Sequence, residues 1–571
     1  MYKREKPIVK CKYGIFVHFV VPHVIYADGR KPTDINELID GFDAEGFVHQ
    51  VVDTGTEYLI LTAWNFGTVP LYPSPVTDKW RTFSSPRRDL LSEIVDGLIE
   101  QGVQVVLYTH PRDGHDFEDE DRIRTGWGIG HYENILSCPN PETFNYTRWN
   151  TYIRELYTEL IEKYGDRISG IYLDGEGPKM PWDFRNSDSS FQIVDYLMIR
   201  DIIKAKNPEL ILFQNFFGSL FSVDYANAEE YNSYVKYYLK YKHVEKWHTA
   251  KIATPMTAFL GSWGVDDKSV YGKYAPFMTS DNMARYTMFN ASCSESGGVT
   301  WASGPFAEGS IWPVGVMESL RDTGKILSEF RESILDAGVS CSYPTISGDT
   351  LEELDFRFWM TGENEKYEYL HCMRMPSDGL LSWGEPEDGI TLADPEVIRG
   401  EMMIQSFEKT EDRYSMMLEG KPDTLDTVIR FTRMGTSHRA AYQWINDTDK
   451  RIDYREGWHY YTLMAQKDGN VFDDAKGCYD RDMHLTWERT SLFFAFQGSI
   501  LEIYGSRDER AGSAEIYIDG VCQGTMRQYS EIREARVCCF RSINLHGGCH
   551  ILQLYTHGDG NVCLDALKVI E

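Results

Sequence analysis

An apolar, β-branched run from Ile168 to Leu173 stops at a carboxylate, Asp174, and then breaks on Gly175 and Gly177. Buried parallel strands read as continuous apolar runs, and in barrels built from them the chemistry sits just past the strands' carboxyl ends. A lone acid at that point suits a nucleophile, so Asp174 is the candidate; the alternative is a cap on the loop or helix that follows. Two carboxylates suffice to cleave a glycosidic bond, one attacking the sugar or activating water and the other protonating the leaving oxygen. Aromatic faces complete such a site. Tyr13, Trp64, Tyr108, Tyr172 and Trp182 fall on or just after candidate strands, where they serve either as core or as the walls of a sugar pocket. His18, at the end of an early apolar run, is either a core histidine bonded to backbone or a sugar contact. His110 and His115 lie in Thr109-His110-Pro111-Arg112-Asp113-Gly114-His115-Asp116, a cluster that reads either as a metal site or, as a loop rich in His and Asp more often is, as simply polar. No metal site and no cofactor is expected.

The elements that must position these residues alternate from residue 11 to about 335, short apolar runs with amphipathic segments, as in a parallel sheet. Strands are expected at Tyr13–Phe19, Tyr58–Trp64, Val103–Tyr108, Ile168–Leu173, Leu210–Gln214 and Gly298–Trp301. Helices are expected at Asp43–Thr54, Asp89–Gln101, Tyr152–Tyr164, Phe191–Lys206 and Val314–Phe330, the second on apolar positions at helical spacing before Gly102. Between residues 215 and 297 strands are poorly marked. The sum is close to the units of a (β/α)8 TIM-like barrel, an α/β fold. A doubly wound open sheet is the alternative, but no glycine-rich phosphate fingerprint follows the first strand. Beyond about residue 336 the pattern becomes short strands with turn residues between them, as in antiparallel β-sandwiches. Asp519-Gly520 marks a hairpin turn there. Three domains follow: a catalytic barrel over 1–335, a small β-sandwich over 336–435 and a second β-sandwich over 436–571.

The 571 residues are 42% hydrophobic and 13% aromatic, enough to fill several cores. With 58 Lys and Arg against 87 Asp and Glu the formal net charge is −29, a field that repels phosphate backbones and anionic lipid, so neither nucleic acid nor membrane is expected as a partner. The basic start, Met1-Tyr2-Lys3-Arg4, leads into no apolar segment, and a cytoplasmic location is expected. The 11 cysteines are odd in number and scattered without metal-ligand spacing, so they read as free thiols.

Several of these stretches resemble the α-L-fucosidases of glycoside hydrolase family 29. Tyr13-Gly14-Ile15-Phe16-Val17-His18 is similar to the family's first-strand motif, whose histidine contacts the sugar. Leu61-Thr62-Ala63, Leu71-Tyr72-Pro73-Ser74 and Thr77-Asp78 resemble its second-strand loop, and Arg88-Asp89-Leu90 with Val106-Leu107-Tyr108 its next helix start and third strand. Gly170-Ile171-Tyr172-Leu173-Asp174-Gly175 resembles the nucleophile strand. Gly297-Gly298-Val299-Thr300-Trp301, with Gly304-Pro305 and Gly309, resembles the late barrel motif, and Phe356 to Phe358 sits where the family's small sandwich begins. The similarity runs in order over roughly residues 11 to 435. It implies a retaining exo-glycosidase acting on a terminal sugar of a glycan or oligosaccharide, with Asp174 as nucleophile. It places the acid/base at Glu229 in Asn227-Ala228-Glu229-Glu230-Tyr231, with Glu230 second; the alternative for both is a solvated helix face. Glu176 is a third acid candidate. His18, Trp64, Asn65, Tyr108, Tyr172, Glu176 and Trp301 become the sugar contacts. Where the family has adjacent histidines holding fucose hydroxyls, this chain has Trp64-Asn65, and its Val20–Asp34 segment lacks the family's Glu-Trp pair. The sugar is therefore open: a fucoside, another sugar such as a galactoside, or a bound glycan that is never cleaved.

Residues 436 to 571 resemble the galactose-binding-like modules appended to many glycosidases. Ile445-Asn446-Asp447-Thr448-Asp449, Gly457-Trp458, Tyr517-Ile518-Asp519-Gly520 and Leu564-Asp565-Ala566 carry the likeness. Such a module binds carbohydrate, here through Trp458 or exposed tyrosines, or acts as a structural brace.

Overall fold

β1 (Tyr13–Val17), β2 (Tyr58–Thr62), β3 (Gln104–Thr109) and β4 (Gly170–Leu173) are apolar runs buried along nearly their whole length, as strands covered on both faces must be. In the computed structural model they continue through β5 (Ile211–Asn215), β6 (Tyr225–Glu229), β7 (Lys251–Pro255) and β8 (Val299–Ala302), each parallel to its neighbour, and β8 pairs back onto β1. The described residues are 6–19, 21, 23–65, 67–114, 116–129, 139–140, 142–174, 193–215, 225–229, 251–255, 279–293, 297–339, 346–347, 356–362, 366–384, 390–410, 413–435, 442–449, 451–462, 478, 482–543, 545 and 549–570. β6 and β7 fall in the stretch where the sequence marks no strand. Tyr-Ala-Asn-Ala-Glu and Lys-Ile-Ala-Thr-Pro carry too few large apolar side chains to look buried.

The helices among the described residues are α1 (Ile35–Gly41), α2 (Ala44–Asp53), α3 (Pro75–Trp80), α4 (Leu90–Glu100), α5 (Asp119–Thr125), α6 (Tyr146–Tyr164), α7 (Tyr196–Lys206), α8 (Ser280–Cys293) and α9 (Val316–Glu329). Their starts are set locally. Asp43, Asp89, Asn145 and Asp195 each accept a backbone N–H three residues on, and Ser74 does the same ahead of Pro75. Leu90, Leu91, Ile94, Val95 and Leu98 form the buried face of α4.

Alternation along the strands decides what fills the lumen. Phe16, Tyr58, Ile60, Val106, Tyr108, Tyr172, Phe213 and Ala302 form one buried cluster. Ile8 and Cys11, from the turn ahead of β1, join it and close the amino-terminal end. Gly14 is a requirement of that packing, since a Cβ there would lie 2.1 Å from the Tyr58 ring. Its absence lets Tyr58 cross the lumen and bring its hydroxyl 2.6 Å from Thr300 Oγ1 on β8. The opposite parity faces the helices: Tyr13 donates its hydroxyl to the Leu320 carbonyl of α9.

The chain continues from α9 into antiparallel strands. Phe356–Gly362, Tyr367–Cys372, Thr427–Met434 and Thr391–Arg399 make one sheet, and Leu380–Gly384, Arg413–Lys421 and Glu401–Lys409 another. Between them lie Leu370, Trp383, Tyr414, Met416, Ile429 and Phe431. This sandwich is fastened to the barrel's helices. Arg285 of α8 donates to the carbonyls of Thr424 and Leu425, and Tyr369 to Glu332. Barrel and sandwich therefore belong to one compact unit, which ends at Ser437.

A second unit runs from His438 to Glu571. Its strands pair antiparallel, with Leu492, Phe494, Leu501, Ile503, Ile516, Leu552, Leu554 and Leu567 at its centre. Asp519 and Gly520 both take positive φ, 53° and 77°, at the hairpin between Ser513–Ile518 and Val521–Arg527. Trp458 is half-buried. Its indole N–H donates to the Ser491 carbonyl at 3.1 Å and its ring packs on the core. No helix among the described residues is long and apolar enough to cross a membrane.

Candidate active site

The lumen parity carries the chemistry to the mouth of the barrel. Two residues beyond Phe16 stands His18, and two beyond Tyr172 stands Asp174, both partly exposed where their predecessors are buried. The Asp174 backbone N–H donates to the Thr109 carbonyl at 2.9 Å, extending the β3–β4 ladder one residue past the strand and fixing where the carboxylate begins. Beneath it, Tyr108 and Tyr172 stack with centroids 5.5 Å apart, and Phe16 packs against both.

The Tyr108 hydroxyl donates to Asp174 Oδ2 in a short hydrogen bond. Asn65 Oδ1 is 3.5 Å from the same hydroxyl, too long to compete for its single proton. The Asn65 amide nitrogen lies 2.8 Å from His18 Nε2, and the His18 ring meets the Tyr108 ring edge-on at 4.8 Å. Burial pushes the His18 imidazole down to about 4; the Asp174 charge works against that shift and His110 works with it. His18 is thus neutral at neutral pH. Because an amide NH2 only donates, Nε2 is the acceptor and Nδ1 carries the proton. Asp174 with Tyr108, and Asn65 with His18, form two hydrogen-bonded pairs side by side over an aromatic floor, a carboxylate with neutral donors beside it. That is equipment for a nucleophile acting on an uncharged polyol.

Four of the expected site residues come together in this way, with Tyr172 directly beneath them. Tyr108 meets the carboxylate as its hydrogen-bond donor. Two others point elsewhere. Trp64 is 1% exposed and packs edge-on against Tyr157 of α6. β2 ends at Thr62, whose hydroxyl bridges the Val17 carbonyl and the Phe19 N–H; past that point alternation no longer holds, so Trp64 turns to the helices and Asn65 to the mouth. Trp301, also 1% exposed, donates its indole N–H to Thr287 Oγ1 of α8. It is a core residue of the layer between β8 and that helix. Glu229 is the last residue of β6, on the carboxyl-end rim shared by Asp174, so its backbone is strand and not a solvated helix face. The Glu229 side chain, Glu230, Glu176, Trp182 and His115 lie outside the described residues.

Two buried ionic residues had no signal in the sequence. Arg112 is 3% exposed and Asp113 fully buried, in the loop that follows β3 and His110. Gly114 is what lets that loop lie flat, since a Cβ would sit 2.6 Å from the Trp127 indole. Among the described residues no group of three His, Cys, Asp or Glu side chains converges in a way that would hold a metal ion.

A sequence model of the family described as alpha-L-fucosidase matches residues 35–331. Among curated proteins, the A type blood alpha-D-galactosamine galactosaminidase of Flavonifractor plautii is 27% identical over 111 residues; the match spans 19% of this chain and 9% of that protein's length. Solved structures share the fold. The alpha-L-fucosidase of Vibrio sp. strain EJY3 aligns over 99% of this chain and 97% of its own, with a TM-score of 0.53 at 12% identity. A GH29 alpha-L-fucosidase of Bacteroides thetaiotaomicron, a trapped covalent intermediate with 2-fluoro-fucosyl fluoride, aligns over 76% of this chain and 98% of its own, with a TM-score of 0.52 at 17% identity. These neighbours have 12 to 17% of their aligned residues in common with this chain, so what they share with it is architecture.

Proposed function

The chain belongs to the alpha-L-fucosidase family and is a glycoside hydrolase, and from that premise we propose that it is a retaining exo-glycosidase that removes terminal α-L-fucose from glycans through a covalent glycosyl-enzyme intermediate. The observation that carries this reading is Asp174 at the carboxyl end of β4, directed by the Tyr108 hydroxyl. In the first step an Asp174 oxygen bonds the anomeric carbon as the bond to the leaving oxygen breaks, and that oxygen takes a proton from Glu229, with Glu230 as the alternative donor. In the second step water attacks the same carbon, gives its proton back to the glutamate, and releases Asp174. A retaining pair needs its carboxyl groups about 5–5.5 Å apart. The trapped covalent intermediate of the Bacteroides neighbour supports the two-step course. His18 and Asn65 hold sugar hydroxyls, and Tyr108 and Tyr172 support them from below.

The segment from residue 436 onward is proposed to be a carbohydrate-binding module. Besides the half-buried Trp458, the exposed Trp487, Tyr529 and Tyr555 offer aromatic faces to a sugar. A second sugar specificity has one observation in its favour. Asn65 replaces a histidine where the family reads fucose, and a neutral amide sets different demands on the hydroxyls it meets. The Flavonifractor relative, named for galactosamine, keeps that option open.

A panel of aryl glycosides, α-L-fucoside first, given to the wild type and to Asp174→Gly decides the matter. The expected result is turnover of the fucoside that falls by roughly a thousandfold or more in the variant, with azide restoring turnover by entering the vacated space and giving a glycosyl azide. Preference for another aryl sugar would replace the substrate and keep the mechanism. Full activity of Asp174→Gly would remove Asp174 from the reaction, and a folded wild type inert on every sugar would make the barrel a binding protein.

A further inference from the structure

We propose that Arg81 is a positioning residue for this site: it clamps the turn after β2 that aims Asn65 at His18. Its role rests on the reading of Asn65 and His18 as sugar contacts.

Arg81 follows the last residue of α3, where its own N–H donates to the Thr77 carbonyl at 2.8 Å. Its side chain is only 3% exposed, and a guanidinium is found that deep only when its charge and donors are met. One terminal nitrogen donates to the Gly67 carbonyl at 2.7 Å and to Thr68 Oγ1 at 2.9 Å. Nε lies 3.0 Å from Asp121 Oδ2 on α5, and the flat face sits 3.5 Å from the centre of the Phe117 ring. The flat face and the permanent charge, which separate arginine from lysine, are both used, and one terminal nitrogen makes both bonds to the turn.

What that nitrogen holds is the turn that ends the approach to the site. Thr68 has φ +43°, a left-handed backbone that a β-branched residue adopts only when its surroundings force it. Its N–H donates to the Asn65 carbonyl at 2.6 Å, and its hydroxyl, besides meeting Arg81, lies 2.9 Å from the Tyr152 hydroxyl of α6. Asn65 is therefore one end of a turn whose other end is pinned by Arg81. The amide that reaches His18 has its direction set by the backbone of that turn. Phe117 and Asp121 come from the segment after β3, which also carries His110, so the same guanidinium ties together the two rim loops that flank His18. A residue needed only for packing would not have to contact the turn that presents Asn65.

The test compares the wild type with Arg81→Lys, which keeps the charge opposite Asp121 but lacks the flat guanidinium, and with Thr68→Gly, which accepts the backbone conformation but lacks the hydroxyl that Arg81 holds. Steady-state kinetics on an aryl α-L-fucoside are read together with the titration of the His18 imidazole, followed by NMR of histidine-labelled protein and assigned with His18→Gln. Both variants are expected to lose about ten- to a hundredfold in kcat/KM, mostly in kcat, because a displaced polar contact misorients the sugar. In both, the His18 pKa is expected to rise from about 4 toward the ordinary 6.5, since a loosened Asn65 admits water beside the ring and stops donating to Nε2. The acid limb of the rate profile should move up in pH with it. Variants that melt earlier but keep kcat/KM per folded molecule and an unmoved His18 pKa would show that Arg81 only stabilises the fold. The titration needs no turnover. A wild type inert on fucosides alongside a shifted His18 would overturn the proposed substrate and leave the clamp standing.

Discussion

Tyr108 has a single proton to give, and it goes to Asp174. The bond is between a neutral donor and a charged acceptor, the kind that contributes about 1.5–3 kcal/mol. In Tyr108→Phe the ring stays stacked on Tyr172 and edge-on to His18, while the carboxylate loses the contact that fixes its direction. The expected loss in kcat/KM is about ten- to a hundredfold, the same energy expressed as a rate, with a melting temperature close to wild type. Kinetics and a thermal melt of one preparation check it, and an unchanged kcat/KM would mean that the Tyr108 hydroxyl does not aim the carboxylate. The sequence made this residue visible only as an aromatic near a strand's end. Asp174 and His18 were legible because each extends a strand whose parity is already set by buried neighbours, Tyr172 and Phe16. Trp64 and Trp301 looked equally suited, and neither is there. One lies past the end of its strand, and the other has the parity that faces a helix. Size and type do not reveal which side of a strand a residue takes.

At the scale of elements, the strands that could be read were those whose continuous apolar character records burial on both faces. β6 and β7 carry little of it: Tyr-Ala-Asn-Ala-Glu and Lys-Ile-Ala-Thr-Pro hold few large apolar residues. Tyr58 spans from β2 to Thr300 on β8, and it can do so only because Gly14 has no side chain. Gly14→Ala puts a methyl 2.1 Å from the Tyr58 ring, deep inside a closed sheet whose backbone has little room to shift. Overpacking of that kind costs about 1–3 kcal/mol. The expected outcome is a lower midpoint in urea unfolding for Gly14→Ala, and a smaller loss when the same change is made in a Tyr58→Leu background, since the two residues are in contact and their effects do not add. Equal losses in both backgrounds would mean that the methyl meets something other than Tyr58. Caps were only partly legible. The helices expected from Asp43 and Asp89 do begin there, but the helix expected from Tyr152 begins at Tyr146, where Asn145 caps it, and the short helix that Ser74 caps ahead of Pro75 was not expected.

At the scale of the molecule, the change from alternating strands and helices to strands alone marked where the barrel ends, but it could not show that the small sandwich joins the barrel's unit. The contacts that join them, Arg285 to the Thr424 and Leu425 carbonyls and Tyr369 to Glu332, run between residues far apart in the chain and leave no periodic trace. The final module is different. Its first described strand, Tyr442–Asn446, pairs antiparallel with its last, Ala566–Ile570, in a ladder from Tyr442 opposite Ile570 to Asn446 opposite Ala566. The module therefore closes on itself, with its two ends side by side. Its central side chains, Leu492, Phe494, Leu501, Ile503, Ile516, Leu552, Leu554 and Leu567, are all within 1% of full burial and all come from the module itself. Roughly 130 residues with their own core are a usual size for an independently folding domain. Residues 438–571 produced alone are expected to give a soluble protein with a β-sheet circular dichroism spectrum and one cooperative unfolding transition. In the whole chain, a transition at the same temperature should appear beside that of the barrel and small sandwich. A fragment that aggregates, or that melts without cooperativity, would show that the strand closure is not enough and that the module depends on the rest of the chain for its stability.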